Sequence, residues 1–176
     1  MDPPHVGNPQ TYFDTAQDRE YAWQLASGPD HEQVAAAVPL YKAVIDADPQ
    51  ELEKLLQGGQ SPDQLLHPHQ WSALMVAAML NRREDAILLL KYGADPRYNS
   101  DDDVCPSALA VALTYGVPQQ DLSIFHYLLD HGADMEQKYS DADDSEDVVI
   151  HAAVLGQMDL VNELLQRGYR RDLPQL

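Results

Sequence analysis

Basic residues are scarce: 11 Lys and Arg stand against 29 Asp and Glu, for a net charge of −18. A surface of that sign repels phosphate backbones and anionic headgroups, so neither nucleic acid nor a membrane surface is expected as a partner. Cys105 is the single cysteine, which excludes an internal disulfide and any multi-cysteine zinc or iron–sulfur site. The sequence has no run of about 18 apolar residues, and Met1-Asp2-Pro3-Pro4 lacks the basic and apolar start of a secretory leader. The expectation is a soluble chain, cytoplasmic as the sequence stands, with periplasmic or secreted residence only if a leader has been removed. Neither Gly-x-Ser-x-Gly, a phosphate-binding loop nor a dinucleotide fingerprint occurs. No catalytic residue, no cofactor and no metal site is therefore expected, and the chain reads as a non-enzyme.

What is present is repetition. The 176 residues, 44% of them hydrophobic, suit one domain. Four stretches align on an apolar start and a closing glycine: Val38 to Gly59, Ser72 to Gly93, Ser107 to Gly132 and Asp147 to Gly168. Their starts lie 34, 35 and 40 residues apart, a period that indicates stacked structural repeats. Each opens with a short, alanine-rich segment such as Ala73-Leu74-Met75-Val76-Ala77-Ala78, whose small side chains let neighbouring helices approach closely. A leucine-rich segment with helical spacing follows, as in Leu52, Leu55 and Leu56 or Phe125, Leu128 and Leu129. The closing glycine sits where a left-handed helix C-cap favours a residue without a β-carbon. Each unit therefore reads as helix, turn, helix, loop.

The pattern resembles the ankyrin repeat: Thr-Pro-Leu-His, two alanines, a turn glycine, a Leu-Leu helix, then Gly-Ala-Asp. Ala73-Leu74 through Gly93-Ala94-Asp95 follows it, with Asn81 at the turn glycine, and Gly132-Ala133-Asp134 and Gly156 fit in the later units. The resemblance covers residues 38–168 and implies an all-α solenoid of helix-turn-helix units. The Thr position holds Val38, Ser72, Ser107 and Asp147, and the His position holds Tyr41, Met75, Ala110 and Ile150. These departures put the usual hydrogen bonds of the family in doubt and leave more of the stability to apolar stacking. The third unit carries about four extra residues near Val117-Pro118-Gln119-Gln120, expected as a bulge at the turn or the start of the second helix.

Residues 1–10 read as a flexible arm and 11–37 as an N-terminal capping helical segment. The repeat domain then spans 38–176, in units near 38–71, 72–106, 107–146 and 147–176. An amphipathic cap would cover the apolar face that a terminal repeat otherwise exposes. The loops after the closing glycines hold Asp101, Asp102 and Asp103 in one case and Asp141, Asp143, Asp144 and Glu146 in the next. Between residues 101 and 147 twelve acids face one base, Lys138. The alternative reading is that Asp and Ser merely suit solvated turns.

Other chemistries do not fit these residues. A calcium loop starting at Asp141 fails, because its sixth position is Glu146 rather than glycine and its twelfth is Ala152 rather than glutamate. His67 and His69 have no third ligand identifiable from spacing, His151 reads as a structural histidine, and nothing in the spacing pairs Cys105 with a base.

The resemblance places residues just before each repeat start, and just after the paired alanines, on a concave face. Here these are Trp71, Met79, Leu80, Thr114, Tyr115, Val154 and Leu155, with Tyr98 in the adjoining loop. Trp and Tyr suit desolvated anchors, with charge around them steering encounter; the competing reading packs Trp71 and Met79 between repeats. The expected function is non-enzymatic protein binding through an acidic rim and an apolar concave face, with inhibition or immunity-type neutralisation of a partner that carries a basic patch. The chain is expected to be monomeric when free. A scaffold or host-directed effector is the alternative, and a metal-binding protein or small enzyme the remote one.

Overall fold

The computed structural model describes residues 39–66, 71–100, 107–137 and 147–170. The expected arm, the whole expected capping segment 11–37 and the acidic runs at 101–103 and 141–146 therefore lie outside the described residues. Eight helices occur among those described: α1 (39–45), α2 (Pro49–Gln57), α3 (Ala73–Met79), α4 (Arg83–Lys91), α5 (Ala108–Gln119), α6 (Ser123–Asp130), α7 (Val148–Val154) and α8 (Met158–Gln166). They form four helix pairs. First helices stack on first helices, α3 against α5 and α5 against α7, while second helices stack likewise, α2 against α4 and α4 against α6. The architecture is an all-α solenoid.

Seven-residue helices such as α3 and α7 are too short to persist alone. Capping and stacking supply what length does not. Ser72, Ser107 and Asp147, at the expected Thr positions, each cap the first helix of a pair. The Ser72 hydroxyl accepts from Met75 N at 3.3 Å, and that of Ser107 from Ala110 N at 3.2 Å. Asp147 Oδ1 accepts from Val149 N and Ile150 N at 3.0 and 3.1 Å. Such caps contribute about 0.5–2 kcal/mol each. The capping function of the position thus survives the loss of threonine. Every residue of α3 is buried, and the second helices contribute Leu52, Leu89, Phe125, Leu128 and Leu164 to the same core.

All eight helices end in the same device. A residue with positive φ follows each helix: Ala47, Asn81, Gln120 and Gly156 between the two helices of a pair, and Gly59, Gly93, Gly132 and Gly168 after the second. The next N–H then reaches back to a carbonyl five residues earlier, as in Arg82 N to Ala77 O at 2.8 Å and Ala94 N to Leu89 O at 2.9 Å. This pairing satisfies carbonyls that a helix end leaves open. Within each pair the two left-handed residues lie twelve apart.

The third pair corrects one expectation. Its extra residues do not bulge at the turn or enter the second helix; they lengthen α5 to 12 residues, against seven in α3 and α7. Pro118 is tolerated because it is the penultimate residue of α5, where its missing N–H costs one bond near the helix end. Gln119 Nε2 donates to the Tyr115 carbonyl at 3.0 Å in the same turn. Gly116 is needed there: a β-carbon would lie 2.5 Å from the Asp121 carbonyl oxygen.

Among the described residues, extended structure is confined to the loops. β1 (Leu65–Leu66) pairs antiparallel with β2 (Trp71–Ser72), Leu65 opposite Ser72 and Leu66 opposite Trp71. Asn99 and Ser107 form an equivalent single bridge before α5.

Candidate functional site

The expected apolar strip divides in two. Trp71, Met79 and Leu80 are buried, at 6%, 0% and 7% exposure, so their assignment to an open concave face is corrected. Trp71 lies in β2, and its carbonyl accepts from the Tyr41 hydroxyl at 2.8 Å, which fixes it in the seam between the first two pairs. Met79 ends α3 and Leu80 caps it, and α3 packs along the longer α5. Tyr98 and Tyr115 are half-buried, while Leu155 and Val154 are exposed. Asp101, Asp102, Asp103, Asp141, Asp143, Asp144 and Glu146 lie outside the described residues.

Beside these positions the loops are joined by a polar ladder that the sequence pattern did not single out. Asp63 Oδ1 accepts from Asp95 N at 2.7 Å, Arg97 Nε donates to Gly132 O at 3.0 Å, Gln137 Nε2 donates to Arg97 O at 2.9 Å, and Glu136 Oε1 accepts from Arg170 N at 2.9 Å. Each bond spans 32 to 40 residues, about one repeat, so each loop braces the next. Asp95 and Asp134 also hold their own turns, accepting from Arg97 N and Glu136 N, both at 2.9 Å. The only sequence signal for the ladder was the Gly-Ala-Asp motif, which places these aspartates at a fixed offset from the left-handed glycine.

A second set of contacts ties the outer helices. Glu53 accepts from Lys91 at 3.0 Å and from the Tyr92 hydroxyl at 3.2 Å. Arg167 donates to Asp130 at 2.8 Å and to Glu163 at 2.9 Å, and Glu163 also lies 3.1 Å from His126 Nε2. Hydrogen bonding from Lys91 lowers the Glu53 carboxyl, and hydrogen bonding from Arg167 lowers that of Asp130. Burial pushes Glu163 up, but His126 and Arg167 together hold it below its ordinary value. Such exposed pairs set register more than stability.

Two further groups, Tyr41 and Asp85, are buried. The Tyr41 hydroxyl is 2.5 Å from Gln64 O and 2.8 Å from Trp71 O, one proton shared between two carbonyls. Burial, then the charges of Tyr98 and Asp63, push it well above the usual tyrosine range. Asp85 in α4 is 2% exposed; burial pushes it up to about 6 against the pull of Arg82, with Glu84 and Asp48 adding to the rise. Among the described residues Asp85 Oδ1 and Arg82 Nε are buried without a hydrogen-bond partner. Also among these residues, no three His, Cys, Asp or Glu side chains gather to hold a metal ion, and no helix is long and apolar enough to cross a membrane.

Stacked helix pairs, left-handed closing glycines and one-repeat polar spacing are joined by a sequence match. An ankyrin repeat-containing protein of Treponema pallidum (strain Nichols) is 34% identical to this chain over 91 residues. The chain is similar to an ankyrin-repeat protein in sequence and in its stacked helix pairs. The match covers 52% of it and spans 28% of the length of that relative. A scan against known protein families finds no match. The ankyrin likeness accounts for the loops as the variable element on a stiff stack.

Proposed function

We propose that this chain binds a partner protein with a basic surface patch through its loop rim, and inhibits that partner by covering the patch. The observation that carries the reading is the concentration of charge: twelve carboxylates against Lys138 alone between residues 101 and 147. Like charges so crowded cost stability, which a partner of opposite charge would relieve. Asp101, Asp102 and Asp103 lie in sequence between Asn99 and Ser107, which pair with each other. Asp141, Asp143, Asp144 and Glu146 lie between Gln137, bonded to Arg97, and Asp147, the cap of α7. Both acidic runs thus start and finish on braced residues. Tyr98, Tyr115 and Leu155 supply the apolar contact in place of Trp71, Met79 and Leu80.

The test is capture from lysate at low salt, followed by assay of the captured partner with and without the chain. One stoichiometric partner whose activity falls supports the reading. A partner that binds with its activity unchanged makes the chain a scaffold, and no salt-sensitive partner removes the basic-patch reading.

A further inference from the structure

Asp85 stands where the later helix pairs place an aliphatic side chain. Counted from the left-handed residue of each turn, Ala47, Asn81, Gln120 and Gly156, the fourth position holds Glu51, Asp85, Ile124 and Leu160. Ile124 and Leu160 are buried core residues, and Asp85 is buried as deeply, at 2% exposure. The fifth position holds Leu52, Ala86, Phe125 and Val161, so the second pair also carries the smallest side chain next to its carboxyl. Asp85 Oδ1 has no hydrogen-bond partner among the described residues, and neither has Arg82 Nε. A carboxylate in a slot that isoleucine or leucine fills elsewhere is unfavourable unless it is paired or protonated.

The charges around Asp85 come from its own turn and from the first pair. Arg82 favours the carboxylate; Glu84, and Asp48 at the cap of α2, oppose it. α3 carries no charged residue. The other charges on helices packed against α4 are engaged: Glu51 with Lys54, Glu53 with Lys91, His126 with Glu163 and Asp130 with Arg167. The influence of Asp48 places Asp85 at the turn end of the seam between the first two pairs. That end lacks a tie that the next seam has. Asn81 Nδ2 donates to Asp121 Oδ2 at 3.1 Å and joins the second turn to the third. Among the described residues no such bond joins Ala47-Asp48 to the second turn. The first seam is held instead at its loop end, by the Tyr41 hydroxyl on the Trp71 carbonyl and by Lys91 on Glu53.

We infer that the seam between the first and second helix pairs is a proton-controlled joint. With Asp85 protonated its turn end stays closed; loss of that proton to solvent opens the turn end to water, while the loop end stays tied. Hydration then stabilises the carboxylate that the closed seam leaves without a partner. Burial raises the folded carboxyl from 3.8 to about 6, so the closed joint holds the proton more tightly than the open one. Raising the pH through 6 therefore favours opening. The joint is tight in mildly acidic surroundings and looser at neutral pH, whatever partner the acidic rim binds.

Residue-resolved hydrogen exchange of the full chain at pH 5 and pH 7, corrected for the intrinsic pH dependence of exchange, tests this. The reporting amides are those of Leu52 and Ala86, bonded to the Asp48 and Arg82 carbonyls at 3.0 Å on the two sides of the seam. The reference is Val161, bonded to the Gln157 carbonyl at 3.0 Å in the fourth pair. Protection of Leu52 and Ala86 should fall about tenfold between the two pH values, the change that a carboxyl moved from 3.8 to about 6 imposes. Val161 should change less. Asp85→Asn, which keeps the shape and cannot ionise, and Asp85→Ile, which copies the third pair, should each abolish the fall. A parent without that fall overturns the inference. A fall that persists in Asp85→Asn overturns it too, as does an equal fall at Val161, which would mark a loosening of the whole stack by its net charge.

Discussion

The Tyr41 hydroxyl lies 2.8 Å from the carbonyl oxygen of Trp71, thirty residues further along the chain. One bond therefore ties the first helix pair to the strand that opens the second, and the Gln64 carbonyl shares it at 2.5 Å. Tyr41→Phe keeps the ring and removes the only proton serving both carbonyls from this residue. Leaving a buried acceptor without its donor costs about 1–3 kcal/mol. Urea denaturation should show that loss with the helical spectrum unchanged; a loss below about 0.5 kcal/mol would mean that water or another donor replaces the hydroxyl.

Trp71→Ala should act on the fold. Emptying a buried aromatic site costs about 3–5 kcal/mol, and here it also removes a strand residue at the seam. The expected outcome is a large drop in melting temperature. A variant of native stability that binds its partner weakly would return Trp71 to the binding surface.

Much of this architecture was legible in the residues. Alanine-rich and leucine-rich segments at helical spacing, with glycines 59, 93, 132 and 168 after them, specify helix pairs because both the buried stripe and the left-handed cap are local requirements. Burial of Trp71, Met79 and Leu80 was not legible. Met79-Leu80 and Val154-Leu155 are chemically alike, and what separates buried from exposed is that, among the described residues, a helix pair packs over the first and none over the second. The lengthening of α5 was hidden for a different reason. Gly116 and Pro118 look like turn residues, yet Gly116 serves a close approach to Asp121, and the left-handed turn falls on Gln120, a residue with no intrinsic preference for it.

That left-handed position makes a stability prediction with opposite signs. A left-handed non-glycine residue costs about 1–2 kcal/mol, while glycine returns part of the gain through the entropy of the unfolded chain. Ala47→Gly, at φ 55°, should therefore stabilise by about 0.5–1 kcal/mol. Gly93→Ala, at φ 93°, should destabilise by at least about 1 kcal/mol. Thermal melts of the two variants check this; the same sign for both would refute the account of the turns.

Asp85 should leave a mark on the pH dependence of stability. Its folded carboxyl is raised from 3.8 to about 6, so the folded state holds the proton more tightly than the unfolded chain does. Its stabilising contribution is full below about pH 4 and is lost as pH rises through 6, by an amount on the order of 2 kcal/mol. Glu53, Asp121, Asp130 and Glu163 are lowered and act in the opposite sense, so the comparison must be between variants. The stability of Asp85→Asn minus that of the parent should rise between pH 4 and 7. A difference that stays flat would show that Asp85 is solvated.

The proposal that the rim captures a basic partner is tested most directly by association rates at two salt concentrations. The comparison is between the parent chain and a variant with Asp101, Asp102, Asp103, Asp141, Asp143 and Asp144 changed to Asn or Ser. Exposed charges act over about 8 Å at physiological ionic strength. The variant should associate more slowly in low salt, lose most of its salt dependence and dissociate at nearly the parent rate. Association at the parent rate in low salt would contradict the account and leave the acidic runs as solvated loops.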